Sequence, residues 1–306
     1  MDTPVALILF NRPEVTARVF AAIRAAAPRR LLLIADGPRA ERPGEAELCR
    51  ATRAVVEAVD WPCAVERNFS DVNLGCGRRV SSGLDWVFEQ VPEAIVLEDD
   101  CLPAPSFFPY CEELLARYRQ DERVGLVTGT SFRTVPMRPG DSYHFSRYPT
   151  VWGWASWRRA WRHYDFRLKS WPALKAGHWL ADLLDDPAAV RFWSRLFDRV
   201  AAGEIDTWDY QLVCSLWAQG CLTVMPRNNL VRNIGFGPDA THTTNVDDVM
   251  ADRAAEAMEF PLQHPAFVLR DAAVDRALER TQYSGTRGHG QRIRRRIDRL
   301  VRGKSR

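Results

Sequence analysis

Through the first 130 residues, short apolar runs alternate with stretches in which apolar side chains return every three or four positions. Residues 5–10 and 31–35 are runs without a charge, the pattern of strands buried on both faces. Between them Val15, Val19, Phe20 and Ile23 recur at helical spacing behind Pro13, a residue suited to a helix's first turn. The same reading predicts a helix over 44–58, a strand over 64–67, a helix over 77–91 and a short buried strand over 94–97. Buried strands joined by amphipathic helices imply the α/β class, with a mostly parallel central sheet flanked by helices. Such a sheet binds ligands beyond the carboxyl ends of its strands.

Beyond an apolar stretch at 123–130 the alternation fades into an aromatic and polar middle. Helices are expected near 188–202 and 208–218, and a strand over 222–225, followed by a stretch rich in Asn, Gly and Thr. Residues 247–277 read as partly helical, and 283–291 as a Gly-rich linker. No internal repeat is visible.

Composition narrows the class. The 306 residues are 46% hydrophobic and 26% charged, ordinary for a globular chain. The apolar runs fall far short of the roughly 20 residues that a bilayer demands. The start has no basic segment or small-residue cleavage site, so no export signal is expected. Seven cysteines without a Cys-x-x-Cys pair fit neither a full disulfide framework nor a zinc ribbon, and read as reduced thiols in the cytoplasm. Eleven tryptophans, many between Trp152 and Trp217, suggest a second core or a sugar-stacking surface.

The net charge of +3 conceals an asymmetry. Residues 287–306 hold eight Arg, one Lys and one Asp, a net +8 that leaves −5 for the rest of the chain. Ile293, Ile297, Leu300 and Val301 share one face of this basic C-terminal tail, as in an amphipathic helix lying on anionic lipid. A solvated tail is the plainer alternative. No recognition motif accompanies the charge, so no nucleic acid partner is expected.

The residues that follow the expected strands are polar: Asn11-Arg12, Asp36-Gly37, Asn73-Leu74-Gly75 and Glu98-Asp99-Asp100. Neither Gly-x-Gly-x-x-Gly nor a Gly-Lys-Ser/Thr loop occurs, so phosphates must be held in another way. Three consecutive acids at the rim of an apolar sheet repel one another unless cations neutralise them. Mg²⁺ or Mn²⁺ bridging one or two carboxylates to a diphosphate is the natural remedy. The competing reading has these acids capping a helix that starts near 103–107. Asp36-Gly37-Pro38 also has the chemistry of a turn. Gly75, Gly77 and Arg78 mark a tight helix start that also suits an anion.

Glu98-Asp99-Asp100 with the downstream Pro105-Ser106-Phe107-Phe108 resembles the acid motif of the GT-A (Rossmann-like) glycosyltransferases, most closely the N-acetylglucosaminyltransferase I type and family 2-like transferases. Asn11-Arg12 and Asp36-Gly37 resemble that family's nucleobase-reading positions. Val151-Trp152-Gly153-Trp154 followed by Trp161 resembles its acceptor-side segment, and Trp208-Asp209 its catalytic segment. Asn233-Ile234-Gly235-Phe236-Gly237 with Thr241-His242-Thr243 is similar to its closing stretch. The ordered match spans about residues 4–244.

The resemblance implies a metal-dependent enzyme using Mn²⁺ or Mg²⁺. It would move a sugar, with inversion, from a nucleotide-diphosphate sugar, UDP-sugar favoured, to a hydroxyl of a glycan or lipid-linked acceptor. It implies Arg12 at the base or phosphates, Asp36 at the imide N–H of the base, Asp99 at the ribose and Glu98 beside the donor sugar. Asn11, Gly37 and Arg78 complete the expected donor site. Asp100 would ligate the metal, with His242 touching metal or diphosphate; Trp152, Gly153 and Trp154 would form the acceptor side. Asp209 is the candidate base. Asp206 is its rival, and equally suits the N-cap of a helix from Thr207. The acid spacing after Trp208 departs from the family pattern by about one residue.

On this reading 1–130 is the nucleotide-sugar half and 131–246 the acceptor-binding, catalytic and α-rich half. Residues 247–286 form a helical extension, and 287–306 a tail placing the enzyme at the inner face of the membrane. The alternatives are a sugar nucleotidyltransferase, although residues 9–14 lack the Gly-rich loop it needs, and a non-catalytic glycan- or membrane-binding protein.

Overall fold

The computed structural model describes residues 1–131, 140–235 and 253–283. The first half alternates as the hydrophobic pattern predicts: β1 (Val5–Leu9), α1 (Pro13–Ala26), β2 (Arg30–Ala35), α2 (Glu45–Glu57), β3 (Ala64–Phe69), α3 (Cys76–Gln90) and β4 (Glu93–Glu98). A short β5 (Cys101–Pro103) follows, then α4 (Phe107–Arg117), β6 (Val124–Thr128), β7 (Tyr143–Ser146) and β8 (Trp154–Trp157). The second half is mainly helical: α5 (Arg158–Trp161), α6 (Trp171–Ala176), α7 (Trp179–Leu183), α8 (Pro187–Ala201) and α9 (Asp209–Ala218). It continues with β9 (Leu222–Pro226), β10 (Val231–Asn233), α10 (Ala272–Leu278) and a π-helical turn over Glu279–Tyr283.

Eight strands form one sheet in the order β3-β2-β1-β4-β8-β6-β9-β7. The four from β3 to β4 run parallel; β8 enters antiparallel between β4 and β6, β9 lies parallel to β6, and β7 closes the edge antiparallel. Strand alternation sends Val5, Leu7 and Leu9 to a face covered by α1 and α4, and Ala6 and Ile8 to a face covered by α3 and α9. The result is a mixed α/β, Rossmann-like arrangement of one large central sheet flanked by helices, consistent with the expected GT-A fold.

Besides the short β5 and β10 of the second sheet, two strands of the main sheet, β7 and β8, are not legible in the sequence. Trp154-Ala155-Ser156-Trp157 carries no alternating polar position, because β8 is sandwiched inside the sheet and all four residues are buried. The expectation that Trp154 offers a surface to an acceptor is therefore corrected. The residue is 1% exposed, its ring stacked 5.8 Å from Trp208 and tilted against Trp161 at 6.3 Å. The tryptophans farther along, Trp171, Trp193 and Trp217, build a second core with Tyr148, Phe197 and Leu278.

The helix expected to start near 103–107 begins at Phe107, but Asp100 leads first into β5, which pairs antiparallel with β10. The acid triplet is thus not a helix cap. Among the described residues of the C-terminal extension, only Ala272–Leu278 and the turn after it are helical. Asp275 there accepts from Ser146 Oγ at 2.6 Å, and Glu279 from Tyr148 Oη at 2.9 Å, which fastens the extension to the edge strand and the chain just after it. No helix among the described residues is long and apolar enough to cross a membrane. Residues 287–306 lie outside the described residues.

α3 reaches β2 through Gly83, where an added Cβ would meet Ile34 Cγ2 at 2.5 Å. Gly83→Ala should lower the urea unfolding midpoint by an overpacking cost of about 1–3 kcal/mol, outweighing the roughly 1 kcal/mol that alanine gains as a helix former. An unchanged or higher midpoint would show that the two elements separate freely.

Candidate functional site

The carboxyl ends of β1 and β4 lie side by side, which brings Asn11 and Arg12 next to Glu98, Asp99 and Asp100. Arg12 donates Nη2 to Asp99 Oδ1 and, at 3.0 Å, to Asp100 Oδ2. Asp99 also accepts from the Phe10 N–H at 3.3 Å. Burial opposes the Arg12 charge, but Asp99 and Asp100 outweigh it and raise its pKa. Burial pushes Asp99 up to about 6 even against Arg12. Glu98 is raised well above the usual carboxylate range by burial first, then by Asp100, Asp99 and Asp209. One guanidinium therefore faces three acidic groups, of which burial and mutual repulsion drive Glu98 and Asp99 toward their protonated forms.

The chain after β10 closes against this cluster. The Ile234 N–H donates to Asp100 O at 2.8 Å, and a Cβ on Gly235 would collide with the Asp100 carboxylate and stand 2.6 Å from Arg12 Nη1. Glycine is required by that approach. Phe236, Gly237, Thr241, His242 and Thr243 lie outside the described residues.

Asp36 does not present a free carboxylate. Its oxygens accept from the N–H groups of Gly37, Leu74 and Gly75 and from Asn73 Nδ2, at 2.9–3.2 Å. Four donors occupy its lone pairs, so the expectation that Asp36 accepts from a base is corrected: it folds the 73–75 loop. Gly37 permits the backbone at Val72 to approach, where a Cβ would come within 2.5 Å of Val72 C. Asn11 is likewise engaged, donating Nδ2 to Glu45 at 3.0 Å, and Arg78 is exposed on the first turn of α3.

Asp206 is also corrected. α9 starts at Asp209, with Trp208 as N-cap, so Asp206 does not cap it. Its carboxylate accepts from the Cys76 N–H at 3.0 Å and the Gly77 N–H at 2.9 Å, at the start of α3. Asp209 is half-buried at the first position of α9, accepts a hydrogen bond from Thr207 Oγ1, and lies within electrostatic reach of Glu98 and Cys76. Thr207 was not anticipated; only the Thr-x-Asp spacing hints at it. Of the residues expected to face an acceptor, Trp152 is half-buried, and its carbonyl accepts from Thr130 Oγ1 at 3.1 Å. Gly153 has φ +64° and packs on Val231, where a Cβ would come within 2.6 Å of Cγ2.

Among the described residues no group of three His, Cys, Asp or Glu side chains is set to hold a metal ion. A cation shared with a diphosphate needs only one or two protein carboxylates, the rest of its shell being phosphate oxygens and water. Arg12 binds both acids, but the Asp100 side chain is the more exposed, 13% against 4% for Asp99, and Asp99 also accepts from the Phe10 amide, so Asp100 fits that demand better.

No protein-family profile matches the chain, and no curated protein sequence matches it. Three solved structures show distant likeness. A TarS fragment of S. aureus aligns at TM-score 0.36 and 9% identity over 54% of this chain, which spans about half (50%) of that fragment's length. The 4-diphosphocytidyl-2C-methyl-D-erythritol synthase of Anaerococcus prevotii aligns at 0.36 and 10%, over 72% of this chain and 87% of its own. The galactosyltransferase LgtC, in complex with donor and acceptor sugar analogs, aligns at 0.39 and 14%, over 93% and 96%. The fold assignment rests on strand order and pairing rather than on these likenesses.

Proposed function

We propose that the chain is a glycosyltransferase that moves a sugar from a nucleotide-diphosphate donor to a hydroxyl of a glycan or lipid-linked acceptor, inverting the anomeric centre. The observation that carries this reading is the meeting of Arg12, Glu98, Asp99 and Asp100, at the carboxyl ends of parallel strands, with Asp209 at the start of α9. Ligands bind such sheets at this edge. A cluster of three acids with one guanidinium would regain its charge beside a metal-borne diphosphate, and a further carboxylate near it suits an acceptor hydroxyl.

Mn²⁺ or Mg²⁺ would sit at Asp100, where it supplies charge neutralisation for the departing diphosphate. Arg12, fixed by Asp99 and Asp100, would present a planar cation to the donor's phosphates. Asp209 would take the proton of the acceptor hydroxyl as that oxygen bonds to the anomeric carbon and the bond to the diphosphate breaks. UDP is the first nucleotide to test, on the strength of the sequence resemblance. The basic tail supports peripheral attachment to an anionic membrane surface, which suits a lipid-linked acceptor.

Calorimetric titration with UDP tests the donor half. The wild type should bind UDP at least about tenfold tighter with Mn²⁺, a gain of roughly 1.4 kcal/mol, and Asp100→Ala should lose that gain. Wild-type protein that ignores both UDP and other nucleoside diphosphates, or binds them equally with and without Mn²⁺, would contradict the reading.

A further inference from the structure

We infer that Asp206 and Thr207 are positioning residues: Asp206 pins the segment carrying Asp209 onto the start of α3, and Thr207 orients the Asp209 carboxylate. The inference rests on the proposal that Asp209 is the base.

The first N–H groups of a helix have no partner within it and need outside acceptors. At α3 the N-cap is Gly75, which has no side chain to offer. The acceptors come from 130 residues away: Asp206 Oδ2 takes the Cys76 N–H at 3.0 Å and Oδ1 the Gly77 N–H at 2.9 Å. Both glycines make room for this approach. A Cβ on Gly75, whose φ is +79°, would come within 2.7 Å of Asp206 Oδ2; one on Gly77 would come within 2.7 Å of both Asp206 Oδ1 and Thr207 O.

The pinned segment then aims Asp209. Thr207 donates its hydroxyl to Asp209 Oδ1, while Gln211 Nε2 holds the Thr207 carbonyl at 2.8 Å and Tyr164 Oη the Trp208 carbonyl at 3.1 Å. The same helix start receives the 73–75 loop that Asp36 folds, so the donor-side loop and the base-bearing segment share one anchor. A base acts only within hydrogen-bond reach of its proton. A shift of about 1 Å costs on the order of 100-fold in rate without loosening the donor.

The test uses the full chain with Mn²⁺ and whichever nucleotide sugar the wild type consumes fastest, with UDP affinity measured in parallel. Asp206→Ala and Thr207→Val should each lower kcat by about 10- to 100-fold while the donor KM and the UDP Kd stay within about twofold. Thr207→Ser, which keeps the hydroxyl, should restore kcat to within about threefold of wild type. The inference is overturned if both variants keep wild-type kcat, or if kcat and UDP affinity fall together and serine rescues neither. Asp209→Asn separates the two layers: an active Asp209→Asn protein sinks the base assignment itself, whereas an inactive one beside active Asp206→Ala and Thr207→Val sinks only the positioning role.

Discussion

Asp209→Asn is expected to lower kcat for sugar transfer by about 10²- to 10⁴-fold while leaving UDP affinity in Mn²⁺ within about twofold of wild type. The substitution keeps the shape of the side chain and removes only its capacity to take a proton, which is needed after donor binding. Asp209 sits at the first position of α9, while Arg12 and Asp100, the groups proposed to hold the donor's phosphates and metal, lie on other elements. Steady-state kinetics with a parallel nucleotide titration checks this. Retained kcat would remove Asp209 from the chemistry, and lost UDP affinity would place it in the donor site.

Asp275→Ala is expected to cost about 3–5 kcal/mol of stability, read as a lower urea midpoint. Asp275 is fully buried and lies beneath Arg147, whose guanidinium is itself only 6% exposed. Burial pushes Asp275 up to about 6, against the bonds from Ser146 and Arg147 that pull it down. Without it, the acids left near Arg147 among the described residues are Asp185 at 3.7 Å and Glu279 at 4.0 Å, and Ser146 loses its acceptor. A buried cation stripped of its nearest counter-charge cannot be resolvated, and the loss is a large share of the roughly 5–15 kcal/mol that holds a domain together. The bond from Tyr148 to Glu279 would persist, so α10 should loosen before the main sheet does. A midpoint within error of wild type would show that the C-terminal segment contributes little to the fold.

How much was legible in advance follows from the range of the interactions. β1, β2 and β4 are uninterrupted apolar runs because both their faces are covered, and α1 shows its buried Val19, Phe20 and Ile23 at helical spacing. β8 was hidden because a Trp-Ala-Ser-Trp strand looks like an aromatic loop until its neighbours β4 and β6 are known. β7 was hidden by its brevity, since four residues at a sheet edge give too little pattern to read. At the site, the acid triplet was visible as a local run of charge at a strand end. The states of Asp36 and Asp206 were not, because what occupies them lies 38 and 130 residues away along the chain. A turn at Asp36 and a helix cap at Asp206 were the open alternatives to ligand contact, and both carboxylates are bound to backbone N–H groups. Arg12 was anticipated as a ligand-facing cation; its bonds to Asp99 and Asp100 come from the pairing of β1 with β4 and could not be read from spacing.

The most direct test of the central claim is mass spectrometry of the purified protein incubated with Mn²⁺ and a panel of UDP-, TDP- and GDP-sugars. At least one donor should release its nucleoside diphosphate, and Asp100→Ala should abolish that release. Intact donors throughout, or pyrophosphate formed only when a nucleoside triphosphate and a sugar phosphate are supplied, would contradict it.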